Sequence, residues 1–213
     1  MAERLRKKQH AIKRLDTFVT PIWVTELAEL APHRERWVQA VRALRLAPSA
    51  DPKQRTNRGG WRSGNTLLSR PEFALLQQHV LFAVKAALSD NGMKPGTSVL
   101  NCEGWANVHG RGGHNVAHVH EGCLLSSTVY LQVPEGAGEL FFVDPRPAAL
   151  MEAFERTEAS TTGGGLGGRR FSFHPRNLRL VMFPSWLSHG VEPSDCDERI
   201  SVAFNVSQVL AQP

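Results

Sequence analysis

The sequence predicts a mainly β domain, a sandwich or a barrel, with helices packed against one outer face. From residue 99 onward, short segments rich in β-branched and aromatic residues alternate with turn-forming residues, as in all-β sandwiches and barrels. Before residue 99 the periodicity is mainly helical. The predicted strands are 99–108, 124–133, 138–143, 178–184 and 199–206.

The first hundred residues are predicted to support this β core. Residues 18–24 indicate an edge strand, because the proline within them cannot donate a hydrogen bond in a sheet. A helix is predicted over 32–46, and the turn-rich segment 48–65 is predicted to be an ordered loop. Pro71 opens a second helix, which an Asn-Gly pair ends. The apolar stripes comprise Trp37, Val41 and Leu44 in the first helix and Leu76, Val80, Val84 and Ala87 in the second.

The 213 residues suffice for a single domain with a full core. Within it we expect a basic arm at 1–17, a helical support at 18–98 and a β core at 99–207. Residues 157–170 interrupt this core with a segment in which five of the six positions 163–168 are glycine. A phosphate-binding loop would need a strand before it and a helix after it. Neither is evident, so the segment is predicted to be a flexible loop, suited to act as a lid.

Composition and charge exclude several classes of protein. The chain has no run of about 18 apolar residues, so a membrane span is not expected. The N-terminus lacks the apolar segment of a secretory signal, and three cysteines without CxxC spacing favour a reducing cytosol. The net charge is +5, but no basic stripe interleaved with aromatic residues follows the basic N-terminus, so nucleic-acid binding is not favoured. We therefore expect a cytoplasmic protein.

Histidines in the second half of the chain form a candidate metal site. His118 and His120 stand two positions apart, so both imidazoles would point to one face of a strand. His189, at the end of another apolar strand, is placed to complete the site. His109 and His114 lie nearby in the sequence, so chance clustering among nine histidines is an alternative. Spacing alone leaves both interpretations open.

Arg199 follows His189 by ten residues and begins a strand that is nearly all apolar. A guanidinium that faces the interior of such a strand needs a partner there. Ser201, two residues further on, shares its face, and the two side chains together can bind a carboxylate. The alternative is a surface arginine paired with Asp197 or Glu198. A metal beside an anchored carboxylate is the arrangement of an oxygenase that uses an acidic co-substrate.

The same residues fall within short motifs that resemble those of the 2-oxoglutarate/Fe(II)-dependent oxygenase superfamily. The resemblance is nearest to a group of bacterial oxygenases and covers about residues 99–207. Each motif alone is weak, and together they are specific. The matching residues are Trp105 with Asn107, His118 with His120, Ser126 and Tyr130, Asp144-Pro145-Arg146, the segment FPSWLSH that ends at His189, and the segment from Glu198 through Asn205.

The resemblance implies a double-stranded β-helix, the jelly-roll or cupin-like fold, with helices packed on one face. It also implies that His118 and His189 bind Fe(II). The superfamily places Asp or Glu where this chain has His120. His120 is therefore expected either to be a third, neutral ligand or to lie beside the site, with water or Glu121 taking the position.

The resemblance also assigns the co-substrate. Arg199 is expected to bind the distal carboxylate of 2-oxoglutarate, with a hydrogen bond from Ser201 or Tyr130, and Asn107 is expected to contact the co-substrate or the product. The implied activity is that of a dioxygenase that uses O2, with ascorbate as a suitable reductant. Its expected reaction is hydroxylation of a C–H bond while 2-oxoglutarate becomes succinate and CO2.

Two other functions stay open at this point. One is a cupin-type metal dioxygenase with three histidines that uses no 2-oxoglutarate, and the other is a jelly-roll module that binds without catalysis. The substrate is expected to be a small or amino-acid-like molecule, acidic if Arg111, Arg169, Arg170 or Arg176 lies near the pocket. Desaturation or halogenation in place of hydroxylation, and a homodimer, are also left open.

Overall fold

The computed structural model describes residues 13, 15–46, 56–93, 99–147, 151 and 169–209. Most of the predicted basic arm and nearly all of the predicted glycine-rich loop lie outside the described residues, so the expectations about them, the lid included, stay predictions. No helix in the described part of the chain is long and apolar enough to cross a membrane.

Two α-helices and nine strands form the fold among the described residues. Helix α1 spans Ala31–Leu46 and helix α2 spans Ala74–Asp90, and short 3-10 turns precede each of them. The strands are β1 Trp23–Glu26, β2 Asn57–Arg62, β3 Val99–His118, β4 Leu125–Gln132, β5 Leu140–Val143, β6 Arg170–Phe173, β7 Arg179–Pro184, β8 His189–Val191 and β9 Arg199–Val209.

The strands form one curled antiparallel sheet in the order β1-β7-β4-β9-β3-β8-β5-β6, with β2 joined to β3. Strand β3 is 20 residues long and serves two parts of this sheet. It pairs with β9 along its first half and with β2 and β8 further along. Side chains from β9 and from β8 therefore meet along a single strand.

Side chains of β9 alternate between an apolar core and a cavity, because successive strand residues point to opposite faces. The core-facing residues are fully buried and pack with residues of both helices: Ile200, Val202, Phe204 and Val206. The residues between them line the cavity: Arg199, Ser201, Ala203 and Asn205. One face of the sheet is thus apolar and the other carries the candidate site.

Both helices cover the apolar face of the sheet. In α1, Trp37 and Val41 are buried, and the predicted stripe of α2 is buried throughout. The indole nitrogen of Trp37 also donates a hydrogen bond of 2.9 Å to the carbonyl oxygen of Glu72. The predicted arrangement of a β core with helices on one face is therefore confirmed.

The predicted loop at 48–65 is wrong in its second half, which contains strand β2. This strand has no β-branched residue and two adjacent glycines, so its sequence is typical of a turn. Gly60 nevertheless lets β2 pack closely on β3, because a Cβ atom at that position would lie 2.4 Å from Cδ2 of His109. Close approach of two backbones, rather than strand propensity, explains this element.

Other boundaries differ less. Strand β1 lies at an edge of the sheet as predicted, but it begins at Trp23 rather than within 18–22. Strand β3 continues to His118, well beyond the strand predicted at 99–108. Strands β6 and β8 were not predicted, since they are only four and three residues long and carry little periodicity.

Candidate metal and co-substrate site

A cavity of about 190 Å³ opens on the face of the sheet that the helices do not cover. Residues of β2, β3, β4, β8 and β9 contribute to its lining. Most of the candidate residues from the sequence line this cavity: Asn107, His118, His120, His189, Arg199 and Ser201. Tyr130 does not line it but contacts Arg199 from behind.

The three candidate histidines converge at one end of the cavity. Their ligand atoms all lie within 4.8 Å of one another. The ring centre of His118 lies 4.4 Å from that of His189 and 4.8 Å from that of His120. Imidazole nitrogens this close together can converge on one divalent cation. The cluster contains no carboxylate.

Backbone hydrogen bonds orient two of these rings. Nδ1 of His118 lies 2.7 Å from the carbonyl oxygen of Val116, and Nδ1 of His189 lies 2.9 Å from that of Leu187. A carbonyl oxygen only accepts, so Nδ1 carries the hydrogen and Nε2 is left as the metal-binding atom. Burial lowers the pKa of His118, and it lowers the pKa of His189 to about 3. Both rings are therefore neutral near pH 7, as a metal ligand must be.

Strand pairing brings these residues together. His118 on β3 pairs directly with His189 on β8. Strand β3 ends at His118, so His120 follows the strand instead of lying on it. The amide of His120 donates a hydrogen bond of 2.9 Å to the carbonyl oxygen of Ser185, which ties this segment to the turn before β8. The rings of His118 and His120 are neighbours as expected. The position of His120, however, depends on this contact with Ser185 and not on the alternation of a strand.

Arg199 is 1% exposed and extends into the same cavity. Its Nη1 donates a hydrogen bond of 3.2 Å to Oγ of Ser201, and its guanidinium carbon lies 5.1 Å from the ring centre of Tyr130. Its Nε has no hydrogen-bond partner among the described residues, and no carboxylate there contributes to its pKa, which burial lowers. A buried cation without a counter-charge is strongly unfavourable. The site is therefore suited to an anionic ligand.

The alternative partners considered for Arg199 lie elsewhere. Glu198 forms an ion pair of 2.6 Å with Arg42 of helix α1. Asp197 forms one of 3.2 Å with Arg111 at the surface. Neither carboxylate is available to neutralise Arg199.

Two further polar groups lie in the same row across the sheet. Asn107 on β3 and Tyr130 on β4 both pair with Ser201 on β9. Oδ1 of Asn107 and the hydroxyl of Tyr130 are buried without a hydrogen-bond partner in the described structure. Burial raises the pKa of Tyr130 to about 12, so its hydroxyl keeps the proton and can donate it in a hydrogen bond. Such orphaned buried groups are uncommon and indicate a ligand.

His109 is a member of this site that the sequence did not single out. It is fully buried, and its Nδ1 lies 3.4 Å from Nη1 of Arg199. Burial lowers the pKa of His109 to about 3, so the neutral ring accepts a hydrogen bond from the guanidinium. The signal for this role is the pairing of His109 with Arg199 across β3 and β9. The register between β3 and β9 cannot be predicted from the spacing of residues along the chain.

Arg62 is a second residue that sequence reasoning missed. It lies on β2, is 6% exposed and lines the cavity. Arg62 lies within segment 48–65, which was predicted to be a loop, so the direction of its side chain could not be predicted from the sequence. The arginines considered instead do not line the cavity in the described structure: Arg111, Arg169, Arg170 and Arg176. These four arginines therefore give no support for an acidic substrate.

Comparison with known proteins defines the class. Residues 103–205 match the family described as "Putative 2OG-Fe(II) oxygenase". No curated protein sequence matches the chain. Among solved structures, a Pseudomonas putida prolyl-4-hydroxylase is similar at a TM-score of 0.63 and 14% identity, over 90% of this chain and 94% of the other.

Two further structures are similar at the level of the fold. HygX from Streptomyces hygroscopicus, solved with nickel and 2-oxoglutarate, gives a TM-score of 0.60 and 16% identity over 88% of this chain and 83% of that one. The α-ketoglutarate-dependent epimerase SnoN from nogalamycin biosynthesis gives a TM-score of 0.63 and 15% identity, over 88% of this chain and 78% of the other. At this level of identity the likeness shows the jelly-roll fold.

The protein is thus a non-haem oxygenase built on a jelly-roll core. More narrowly, residues 103–205, which make up most of its β core, match the family pattern of the 2-oxoglutarate/Fe(II) oxygenases. The expected class of enzyme and its cofactors, Fe(II) and 2-oxoglutarate, are confirmed. The closer resemblance to one bacterial group stays a prediction.

Proposed function

We propose that His118, His120 and His189 hold Fe(II) and that Arg199 binds 2-oxoglutarate. The observation that carries this proposal is a cluster of three imidazoles in one cavity with a buried guanidinium that lacks a carboxylate partner among the described residues. A keto acid with a carboxylate at each end suits both features. Its keto-acid end suits the metal and its distal carboxylate suits Arg199.

The donor set of the site fits iron, since imidazole nitrogen is an ordinary ligand of Fe(II). The common arrangement in such oxygenases has two histidines and one carboxylate. His120 replaces that carboxylate with a neutral ring in this proposal. The bound ion then keeps both of its positive charges, which favours an anionic co-ligand.

The other residues position the co-substrate and exclude water. Fe(II) held by the three histidines would, with 2-oxoglutarate and O2, supply the oxidising power for C–H hydroxylation, with succinate and CO2 as the other products. Ser201 and His109 flank the guanidinium of Arg199 and hold it in place. Phe183 packs on His189 with ring centres 4.5 Å apart, which shields that ligand from solvent. Tyr130 and Asn107 pair with Ser201 across the sheet, and we assign them to the same carboxylate site.

The direct test measures succinate release from 2-oxoglutarate on addition of Fe(II) and ascorbate. We expect release that depends on both Fe(II) and 2-oxoglutarate and that is lost in His118→Ala. Wild-type protein that binds Fe(II) stoichiometrically and releases no succinate would contradict the proposal. It would favour a jelly-roll module that binds without catalysis.

The all-histidine cluster also suits a cupin-type dioxygenase that needs no 2-oxoglutarate. Arg199 distinguishes the two, because only the proposed reaction uses its guanidinium. Arg199→Gln should raise the KM for 2-oxoglutarate steeply while Fe(II) still binds. Oxygen consumption that is independent of 2-oxoglutarate, and unchanged in Arg199→Gln, would support the cupin-type reaction instead.

The role of His120 has its own test in the visible spectrum of the Co(II)-substituted protein. If His120 is a ligand, His120→Ala should weaken Co(II) binding and change the ligand-field bands, and His120→Asp should restore binding. The exposed His174 provides a matched control in His174→Ala. An unchanged spectrum in His120→Ala would place His120 outside the coordination sphere.

We further propose that the enzyme hydroxylates a small, amino-acid-like molecule in the cytoplasm. The volume of the cavity supports a small substrate, because about 190 Å³ must hold the co-substrate as well.

A further inference from the structure

The cavity contains a second buried guanidinium, Arg62, which the proposed binding of 2-oxoglutarate does not use. Arg62 on β2 pairs with Asn107 on β3, so both side chains point toward the cavity. The guanidinium carbon of Arg62 lies 4.5 Å from the ring centre of Trp105. Trp105 is also close to the metal cluster, since its ring centre lies 5.9 Å from that of His120.

The guanidinium of Arg62 is fixed before any ligand arrives. Its Nη1 donates a hydrogen bond of 3.0 Å to the carbonyl oxygen of Ser63, and its Nη2 donates one to Oδ1 of Asn65. Asn65 in turn donates a hydrogen bond of 2.8 Å from Nδ2 to Glu103. Contact with the Trp105 ring limits the remaining freedom. A charged group held in this way can bind a ligand without first losing side-chain entropy.

The balance of charge in the cavity as a whole favours one anion in addition to 2-oxoglutarate. Among the described residues, the cavity is lined by the cations Arg62 and Arg199 and by one carboxylate, Glu103. Proposed Fe(II) adds two positive charges at the histidine cluster. The two negative charges of 2-oxoglutarate leave one positive charge in excess, and a single carboxylate on the substrate would neutralise it.

We propose that Arg62 is the anchor for a carboxylate on the primary substrate, which is then a small carboxylic acid. The inference rests on the proposed function, because it takes Arg199 and the metal to be occupied by 2-oxoglutarate. Arg62 and His120 both lie close to the ring of Trp105. A molecule held by its carboxylate at Arg62 therefore lies across Trp105 and presents a C–H bond a few carbon atoms away toward the metal cluster.

The test begins with the anaerobic Fe(II) protein and 2-oxoglutarate, whose visible charge-transfer band reports that the proposed co-substrate site works. Absence of this band contradicts the proposed function and not this inference alone. The Zn(II) protein loaded with 2-oxoglutarate is then titrated calorimetrically with pentanoate, L-norvaline and L-leucine, each beside its primary amide. Succinate release with the Fe(II) enzyme is measured for the same compounds.

We expect at least one acid to bind and to stimulate succinate release, with its amide at least about 10-fold weaker. Arg62→Gln should remove this preference for the acid, and Arg62→Lys should restore part of it. Arg58→Gln is the matched control, since Arg58 is an exposed arginine on the same strand that does not line the cavity. Its preference should equal that of the wild type.

Asn65→Ala provides a second variant in case Arg62→Gln does not fold. It removes the acceptor that fixes Nη2 of Arg62, so acids should bind several-fold more weakly while the charge-transfer band with 2-oxoglutarate persists. The inference is overturned if no acid binds, if acids and amides bind equally, or if Arg62→Gln keeps the preference of the wild type.

Discussion

The two faces of strand β9 differ in how completely their polar atoms are satisfied. Residues that face the helices are apolar and fully buried, as at Val202 and Phe204. On the cavity face, Nε of Arg199 has no hydrogen-bond partner among the described residues. The same holds for Oδ1 of Asn107 and the hydroxyl of Tyr130, which lie beside this face.

This difference indicates that the apolar face of β9 stabilises the fold and that the cavity face is suited to bind a ligand. Burial of apolar groups stabilises the fold, whereas each unsatisfied buried polar group destabilises it by roughly 1–3 kcal/mol. Because strand residues alternate between faces, adjacent positions can serve opposite purposes. Substitutions on the cavity face should therefore weaken ligand binding, whereas substitutions on the apolar face should lower the free energy of unfolding.

The largest effect is expected at the metal cluster. His189→Ala should weaken Fe(II) binding by more than about 100-fold, since even the partners that orient a metal ligand contribute 10–100-fold. The metal-free variant should unfold only slightly below the metal-free wild type near pH 7, because it loses the hydrogen bond to Leu187 and the contact with Phe183 but no large apolar side chain. Metal titration and calorimetry measure the two quantities. A marked loss of stability in the metal-free variant would show that this face also supports the fold.

The next effect is expected at Arg199. Arg199→Gln should weaken 2-oxoglutarate binding by at least about 30-fold, because removal of one partner of a buried charge pair typically reduces binding by 2–5 kcal/mol. The free energy of unfolding without ligand should be unchanged or higher, since a buried cation with no counter-charge in the described structure is removed. Calorimetric titration and urea unfolding check both results. A large loss of stability with unchanged binding would contradict the assignment of this face.

The opposite result is expected on the face of β9 that packs against the helices. Phe204→Ala should lower the free energy of unfolding by about 3–5 kcal/mol, because it leaves a cavity in the fully buried core. In conditions where the variant is folded, its affinity for 2-oxoglutarate should stay within a factor of about 3 of the wild type. Urea unfolding and equilibrium binding distinguish this outcome from that at Arg199.

The smallest effect concerns the dependence of stability on pH. Burial lowers the pKa of His109 to about 3, so between that value and the ordinary value near 6.5 the unfolded chain binds a proton that the folded chain does not. Stability from this residue is complete above about pH 6.5 and falls as the pH is lowered, by roughly 2 kcal/mol at pH 5.

Comparison of metal-free wild type with His109→Gln isolates this contribution. The free energy of unfolding should fall less steeply with acid in the variant, although His189 still contributes to the slope in both proteins. Equal slopes in the two proteins would show that His109 is protonated in the folded state. The same variant should also bind 2-oxoglutarate more weakly, since His109 no longer positions Arg199.

Sequence patterns predicted the parts of this protein that depend on local periodicity. The alternation in 199–206 predicted β9 and the shared face of Arg199 and Ser201, which the hydrogen bond between them bears out. The segment around Arg62 failed because its glycines and arginines carry no strand signal. Its strand forms through close packing on β3, and that contact lies outside any local window.

The sequence by itself determined the class of fold, the apolar face of the sheet and the identity of the histidines and the arginine in the candidate site. Each of these follows from residue type and from the two-residue period of a strand. Only the tertiary structure decided that His109 contacts Arg199 and that Arg62, rather than Arg111, faces the cavity. Those relations depend on register between strands that are distant in the chain. A shift of one residue in such a register would turn every side chain to the other face.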